Sequence, residues 1–189
     1  MTDDHDGETS RAGEADLYAL FREHGITWTH YDHPPFFTVE DSQAQRGEQP
    51  GAHCKNMFLK EKKGGLWLVT CLDDRQIRIR DLEKAIGAKS CSFGKPDLLW
   101  DTLGVRPGAV TPFAALNDRA GAVRVVLDAQ MMEAEVINAH PLHNEATTAI
   151  ATADLARFFT LTGHTPTLVD FDALEALASA HQAATEGSA

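Results

Sequence analysis

The chain has 189 residues, 43% of them hydrophobic and 24% charged, with a formal net charge of −11. That length and apolar content suit one domain with a substantial core and exclude global disorder. No apolar run approaches the roughly 18–20 residues needed to cross a bilayer, and the acidic N-terminus lacks the apolar centre of a secretory signal. Three widely spaced cysteines, Cys54, Cys71 and Cys91, form no CxxC and point to reduced thiols in a cytoplasm.

The acidity is concentrated at the two ends. Residues 1–16 carry a net −5 and residues 170–189 a net −4, whereas residues 55–89 hold nine bases and five acids, a net +4. This argues against tight, sequence-indifferent nucleic-acid binding but leaves room for a local polyanionic contact.

In chain order, residues 1–13 read as a solvated, disordered acidic lead. Leu17, Leu20, Phe21 and His24 recur at helical spacing, and Gly25 suits the left-handed position just past the last turn. ITWTHY alternates with period two and predicts a strand, which His33-Pro34-Pro35 must end because proline cannot continue a ladder. VEDSQAQRG predicts a short helix ending at Gly47. KNMFLK and LWLVTCL predict a hairpin about Lys63-Gly64-Gly65. Asp81 to Ile86 predicts a short helix closed by Gly87, KSCSF a strand, and PDLLWDTLG a helix with Pro96 in its first turn and Gly104 after its last. RPGAVTPF reads as loop into strand.

AVRVVLDA, EAEVINAH and TTAIA predict three further strands. ADLARFFTLTG predicts a helix capped by Gly163, TLVDF a last strand, and residues 176–189 the frayed end of a last helix. The irregular alternation predicts an α+β (mixed α/β) fold, a single domain over residues 14–175 with a curved mixed sheet surrounded by short helices.

Three motifs carry candidate chemistry. Lys55-Asn56 opens a buried strand, where lysine and asparagine are poor strand residues. It reads either as a lysine snorkelling at a strand edge or as a cation at the rim of a pocket, able to grip a phosphate or polarise a carbonyl. Gly108 to Pro112, GAVTP, is either a turn or a stiff loop presenting backbone groups to a ligand. His140 stands where a strand meets Pro141, and the polar run to Thr148 reads as a site or as turn bonding. His30/His33 and His140/His143 are each spaced three apart, but neither matches a zinc signature, so no metal site is expected. Cys54 beside Lys55 reads as a small buried filler more readily than as an activated thiolate. No G-x-S-x-G, P-loop or GxGxxG is present.

Taken in order, YDHPPFFTVED, G-x-H-x-K-N-x-F-L, L-x-x-LGVRPGAVTPF, VVLD and HPLHNEATT resemble the free-standing aminoacyl-tRNA deacylases. That family is related to the editing insertion domain of bacterial prolyl-tRNA synthetase and to the wider YbaK-like group. The resemblance runs from about residue 14 to 171. HPP at 33–35, KN at 55–56 and HPL at 140–142 look most like the branch that clears alanine from mischarged proline tRNA.

The resemblance implies a cleft for the tRNA 3′ acceptor end and hydrolysis of an aminoacyl ester with no cofactor and no metal. It implies catalytic roles for Lys55, Gly108 and His140, and substrate contacts at Asn56, Pro112, Ala109, His33 and Thr38. The basic zone offers Lys60, Lys62 and Lys63 as tRNA contacts, or simply as a solvated hairpin turn. The expected activity is trans-editing of alanyl-tRNAPro in the cytoplasm, with prolyl-tRNA synthetase as a further partner and no membrane. The alternatives are another mischarged substrate, cysteinyl or seryl, and a non-catalytic tRNA- or aminoacyl-binding module.

Overall fold

A computed structural model describes residues 11–35, 47 and 49–186, with side chains to residue 180. Thr38 and the helix expected over VEDSQAQRG lie outside the described residues, apart from Gly47. In chain order the elements are α1 (Glu14–Glu23), β1 (Trp28–Asp32), β2 (Ala52–Glu61), β3 (Leu66–Leu72), α2 (Ile79–Ile86), β4 (Cys91–Phe93) and α3 (Pro96–Leu103). Then come a 3₁₀ helix (Pro112–Asn117), β5 (Val123–Asp128), β6 (Val136–Ala139), β7 (Ala146–Ala151), α4 (Thr152–Leu161), β8 (Thr167–Val169) and α5 (Phe171–Glu186).

Glycine and proline place most of these boundaries, as the local chemistry requires. Gly87 and Gly104 close α2 and α3 at φ 71° and 65°, where a side chain would be strained. Pro96 occupies the first turn of α3, whose amide would have no helical partner in any case. The β2–β3 hairpin closes with Glu61 N donating to Gly65 O at 2.8 Å.

The GAVTPF segment departs from the expected strand. Pro112 cannot donate to a ladder, and Thr111 Oγ1 accepts from Phe113 N at 3.4 Å, starting a 3₁₀ turn instead. Residues 11–13, three of the expected solvated lead, are held against the body. Ala12 N donates to Asn117 Oδ1 at 2.8 Å, and Asn117 Nδ2 returns a bond to Ala12 O at 3.1 Å.

The described strands form one eight-stranded mixed sheet in the order β1-β7-β6-β2-β3-β5-β8, with β4 paired to β2. Joins β1–β7, β7–β6, β2–β3 and β2–β4 are antiparallel, and β6–β2, β3–β5 and β5–β8 are parallel. Each face carries its own core. On one, α1, α3, the 3₁₀ helix and α4 pack Leu17, Phe21, Leu103, Phe113, Phe158 and Phe159 against Leu68 and Leu127. Phe113 meets Phe21 and Phe158 edge-on at centroid distances of 5.5 Å, a geometry worth about 1 kcal/mol per pair beyond burial. On the other, α2 and α5 pack Leu82, Phe171 and Leu174 against Leu59, Val69, Cys71 and Val126. No described helix is long and apolar enough to cross a membrane.

Candidate functional site

Lys55 lies within β2, opposite Cys71 of β3. Strand alternation puts its side chain on the face shared with His53, Met57 and Leu59, and puts Asn56 on the other. The Lys55 ammonium is half-buried and donates to the backbone carbonyl of Arg75, in the turn after β3.

That turn is anchored in the fold's interior. Arg75 is 7% and Asp128 0% exposed, and Arg75 Nε donates to Asp128 Oδ2 at 2.9 Å. Arg75 Nη1 also donates to Asp172 and, at 3.0 Å, to Glu175, both in the first turns of α5. Burial alone would lower the pKa of this guanidinium, but its bonds to Asp128, Asp172 and Glu175 outweigh that and raise it, so the charge is permanent. Asp128 accepts in addition from Leu72 N at 3.2 Å and Gln130 N at 3.0 Å, which compensates a carboxylate taken wholly out of water.

A second cluster forms at the end of β6. The parallel register pairs Ala52 with Ile137 and His53 with Asn138, so the start of β2 lies beside the end of β6. His140 continues the alternation from Asn138, on the same side as Lys55. Its Nδ1 is 2.9 Å from Ala146 O. A carbonyl only accepts, so Nδ1 carries the proton and Nε2 is left as an acceptor when the ring is neutral.

Burial pushes the His140 pKa below its ordinary value; the bond to Ala146 opposes this, and His33 and His143 add to the depression. The ring is therefore neutral at pH 7. The His33 ring lies 5.9 Å from it. His33 Nδ1 donates to Pro34 O at 2.8 Å, and its Nε2 accepts from the hydroxyl of Thr147 at 3.0 Å.

The GAVTP loop is tied to this cluster through Thr111, whose Oγ1 donates to His140 O at 2.6 Å. Gly108 is exposed at φ 89°, while Ala109 and Pro112 are buried. Beyond His140 the turn holds Leu142 at φ 73° with only 9% of its surface exposed. A non-glycine residue there costs on the order of 1 kcal/mol, which its burial must offset.

Comparison with known proteins decides the family. A family model described as "aminoacyl-tRNA editing domain" matches residues 33–158. The chain belongs to the aminoacyl-tRNA editing domain family. Among its relatives, "Prolyl-tRNA synthetase associated domain-containing protein 1" of Xenopus laevis is 39% identical over 162 residues, covering 83% of this chain and 96% of that one. "Prolyl-tRNA editing protein ProX" of Acetoanaerobium sticklandii is 33% identical over 141 residues, covering 74% and 86%. A structure solved for a candidate trans-editing enzyme of prolyl-tRNA synthetase superposes with a TM-score of 0.63 over 85% of this chain and 98% of that one, at 15% identity, which shows the shared fold.

Within this editing domain the sequence-predicted residues divide into three places. Lys55, His33 and His140 share one side of the sheet, and Thr111 links the Gly108–Pro112 loop to them. Asn56 lies on the opposite face, where its Oδ1 accepts from Thr70 Oγ1 at 2.8 Å. Lys60 is exposed on that same opposite face, with Lys62 and Lys63 exposed in the hairpin turn. Lys60 is about 17 Å along β2 from Lys55 at ~3.4 Å per residue.

Burial pushes the pKa of the Cys54 thiol up to about 12, and its Sγ donates to Asn138 O at 3.2 Å. Among the described residues no group of three or more His, Cys, Asp or Glu side chains is arranged to hold a metal ion. Sequence reasoning missed Arg75 and Asp128, and it held Thr111 only as part of the GAVTP loop and Thr147 only as part of the polar run to Thr148. Only Asp128 left a signal, since a carboxylate closing the apolar run VRVVLD must find a buried partner.

Proposed function

We propose that this editing domain hydrolyses the ester of mischarged aminoacyl-tRNA, with alanyl-tRNAPro as its principal substrate. The observation that carries the reading is Lys55. Among the described residues one carbonyl holds this half-buried ammonium, which keeps two of its three N–H donors for a ligand. An aminoacyl ester is already activated, so a protein nucleophile is unnecessary, and the high pKa of Cys54 agrees with its not serving as one.

In this mechanism Lys55 fixes the terminal nucleotide of the tRNA through its phosphate, and water adds to the ester carbonyl. The backbone at Gly108 stabilises the developing oxyanion. Neutral His140 offers Nε2 as an acceptor to orient the water or the substrate. Collapse releases alanine, and the departing ribose oxygen takes up the proton that the water gave. Proline is excluded by bulk, whereas alanine is separated from serine or glycine by only about 1–3 kcal/mol of pocket contacts. The synthetase that makes the error is the natural partner, in the cytoplasm.

The test is deacylation of alanyl-tRNAPro, cysteinyl-tRNAPro, seryl-tRNAPro and alanyl-tRNAAla by wild type and Lys55→Ala, with and without EDTA. Hydrolysis of alanyl-tRNAPro at least tenfold faster than of the cysteinyl and seryl esters, abolished in Lys55→Ala and indifferent to EDTA, supports the proposal. Full activity in Lys55→Ala removes the mechanism. Preference for another ester removes the substrate assignment, and tRNA binding without hydrolysis makes the domain a binding module.

A further inference from the structure

Phe93 is 63% exposed, more than any other large apolar side chain among the described residues. It ends β4, a three-residue strand, directly opposite Leu59 of β2. The register puts Phe93 on the face that carries Lys55, about 14 Å along β2 from it at ~3.4 Å per residue. The backbone beside it is pinned to β2. Gly94 N donates to Phe58 O at 2.9 Å, and a Cβ on Gly94 would come within 2.3 Å of the Phe58 ring, so that slot is already filled.

Lysines surround this edge. Lys60 stands opposite Ser92, on the other face of the sheet from Phe93, Lys62 N donates to Ser90 O at 3.2 Å, and Lys89 and Lys95 flank β4. These four and Lys63 are exposed, and none is ion-paired to a described residue. Two nearby carboxylates are engaged elsewhere: Glu61 accepts from Trp67 Nε1 at 2.8 Å, and Glu83 from Cys91 N. Asp97, at the start of α3, is the exposed acid nearest to Lys95 in sequence. In a chain of net charge −11 this is a concentrated positive edge carrying a bare aromatic ring.

Between that edge and Lys55, one side of β2 has no described strand beside it. β2 pairs with β6 only through Ala52 and His53, and with β4 only through Leu59 to Glu61. Residues 54–58 therefore have no strand partner on that side among the described residues.

We propose that Phe93 and its lysines grip RNA: the ring stacks on an unpaired base near the tRNA 3′ end, and the lysines meet the adjoining phosphates. The terminal nucleotide then reaches Lys55, so the proposal rests on the editing reading of that site. The span fits, because about four stacked nucleotides at ~3.4 Å each cover the separation of Phe93 and Lys55. Stacking on one aromatic side chain tolerates any base, which suits a surface that holds the strand while the pocket inspects the amino acid.

The experiment measures binding of uncharged tRNAPro transcript, and of the same transcript lacking its unpaired 3′ nucleotides, by fluorescence anisotropy at fixed salt. Phe93→Ala should weaken the intact transcript about tenfold, within the roughly fivefold to hundredfold range of one lost stack, and leave the truncated one unchanged. Phe93→Tyr should bind as wild type. Lys89→Glu with Lys95→Glu should weaken both transcripts and flatten the salt dependence by about 0.7–0.9 per lost phosphate contact. Unchanged affinity in Phe93→Ala overturns the proposal and leaves the edge to a protein partner. Equal weakening of both transcripts overturns it as well. Because the RNA is uncharged, a domain that binds it through Phe93 but hydrolyses nothing sinks the editing reading alone, and an active deacylase indifferent to Phe93→Ala sinks only this one.

Discussion

The ammonium of Lys55 is held by the backbone carbonyl of Arg75, whose own guanidinium is bound to the fully buried carboxylate of Asp128. The position of the candidate catalytic amine is thus set from the interior outward, through a turn tied at once to β5 and to the first turns of α5. A strand lysine would otherwise sample many rotamers, and ordering so flexible a side chain costs about 1.5–2 kcal/mol.

Asp128→Asn removes the charge that compensates Arg75 in the interior. Breaking a buried pair in this way costs about 3–5 kcal/mol, reduced here because Asp172 and Glu175 remain. The expected loss is about 2–3 kcal/mol by urea denaturation. The kcat for alanyl-tRNAPro should fall as well under conditions where the variant is fully folded. A normal kcat in the folded variant would show that the Arg75 turn does not position Lys55.

His140 gives the domain a defined pH dependence. Its folded pKa lies below the ordinary imidazole value because of burial, so the unfolded chain binds the proton more readily. Between the folded value and about 6.5, the unfolded state carries more protons and stability rises with pH. Stability should therefore fall as pH drops below about 6.5, and His140→Asn should flatten that fall in denaturation curves at pH 7.5 and 5.5. The same variant should lower kcat/KM about tenfold, or ~1.4 kcal/mol. Wild-type rates would leave His140 a structural residue.

Cys54→Ala should retain kcat/KM to within about threefold, a loss under ~0.7 kcal/mol. Burial holds the thiol protonated at neutral pH, and its hydrogen goes to Asn138 O. Maleimide labelling of the folded protein should be correspondingly slow at this position. A collapse of activity in Cys54→Ala with unchanged stability would point to a thiolate nucleophile.

Gly108→Val places a β-branched residue at φ 89°, outside the regions such side chains adopt. Stability should drop by about 1–3 kcal/mol, and, on the mechanism proposed above, deacylation should suffer more than tRNA binding. A variant with full activity would mean that the loop only connects α3 to the 3₁₀ helix.

Much of the fold could be read in the sequence because its signals are local. Gly25, Gly87 and Gly104 sit at positive φ just after helices, and Gly64 turns the β2–β3 hairpin. The GAVTPF segment misled for an equally local reason, since Pro112 and the Thr111 hydroxyl favour a 3₁₀ turn over a ladder. The candidate site was legible as residue types but not as an arrangement. Lys55 and Asn56 are adjacent in the chain and on opposite faces of the sheet, where Asn56 meets Thr70.

What the sequence alone determined is most of the described elements, the family resemblance, and a lysine committed to a buried strand. Those follow from dihedral preferences and hydrophobic period, which act over a few residues. Only the tertiary structure decided that His33 meets His140, that Thr111 ties its loop to the His140 carbonyl, and that Arg75 and Asp128 hold the turn that holds Lys55. Each of these joins segments far apart in the chain. Such partners are chosen by strand register and by the need to satisfy every buried charge and carbonyl, conditions that exist only once the sheet has closed.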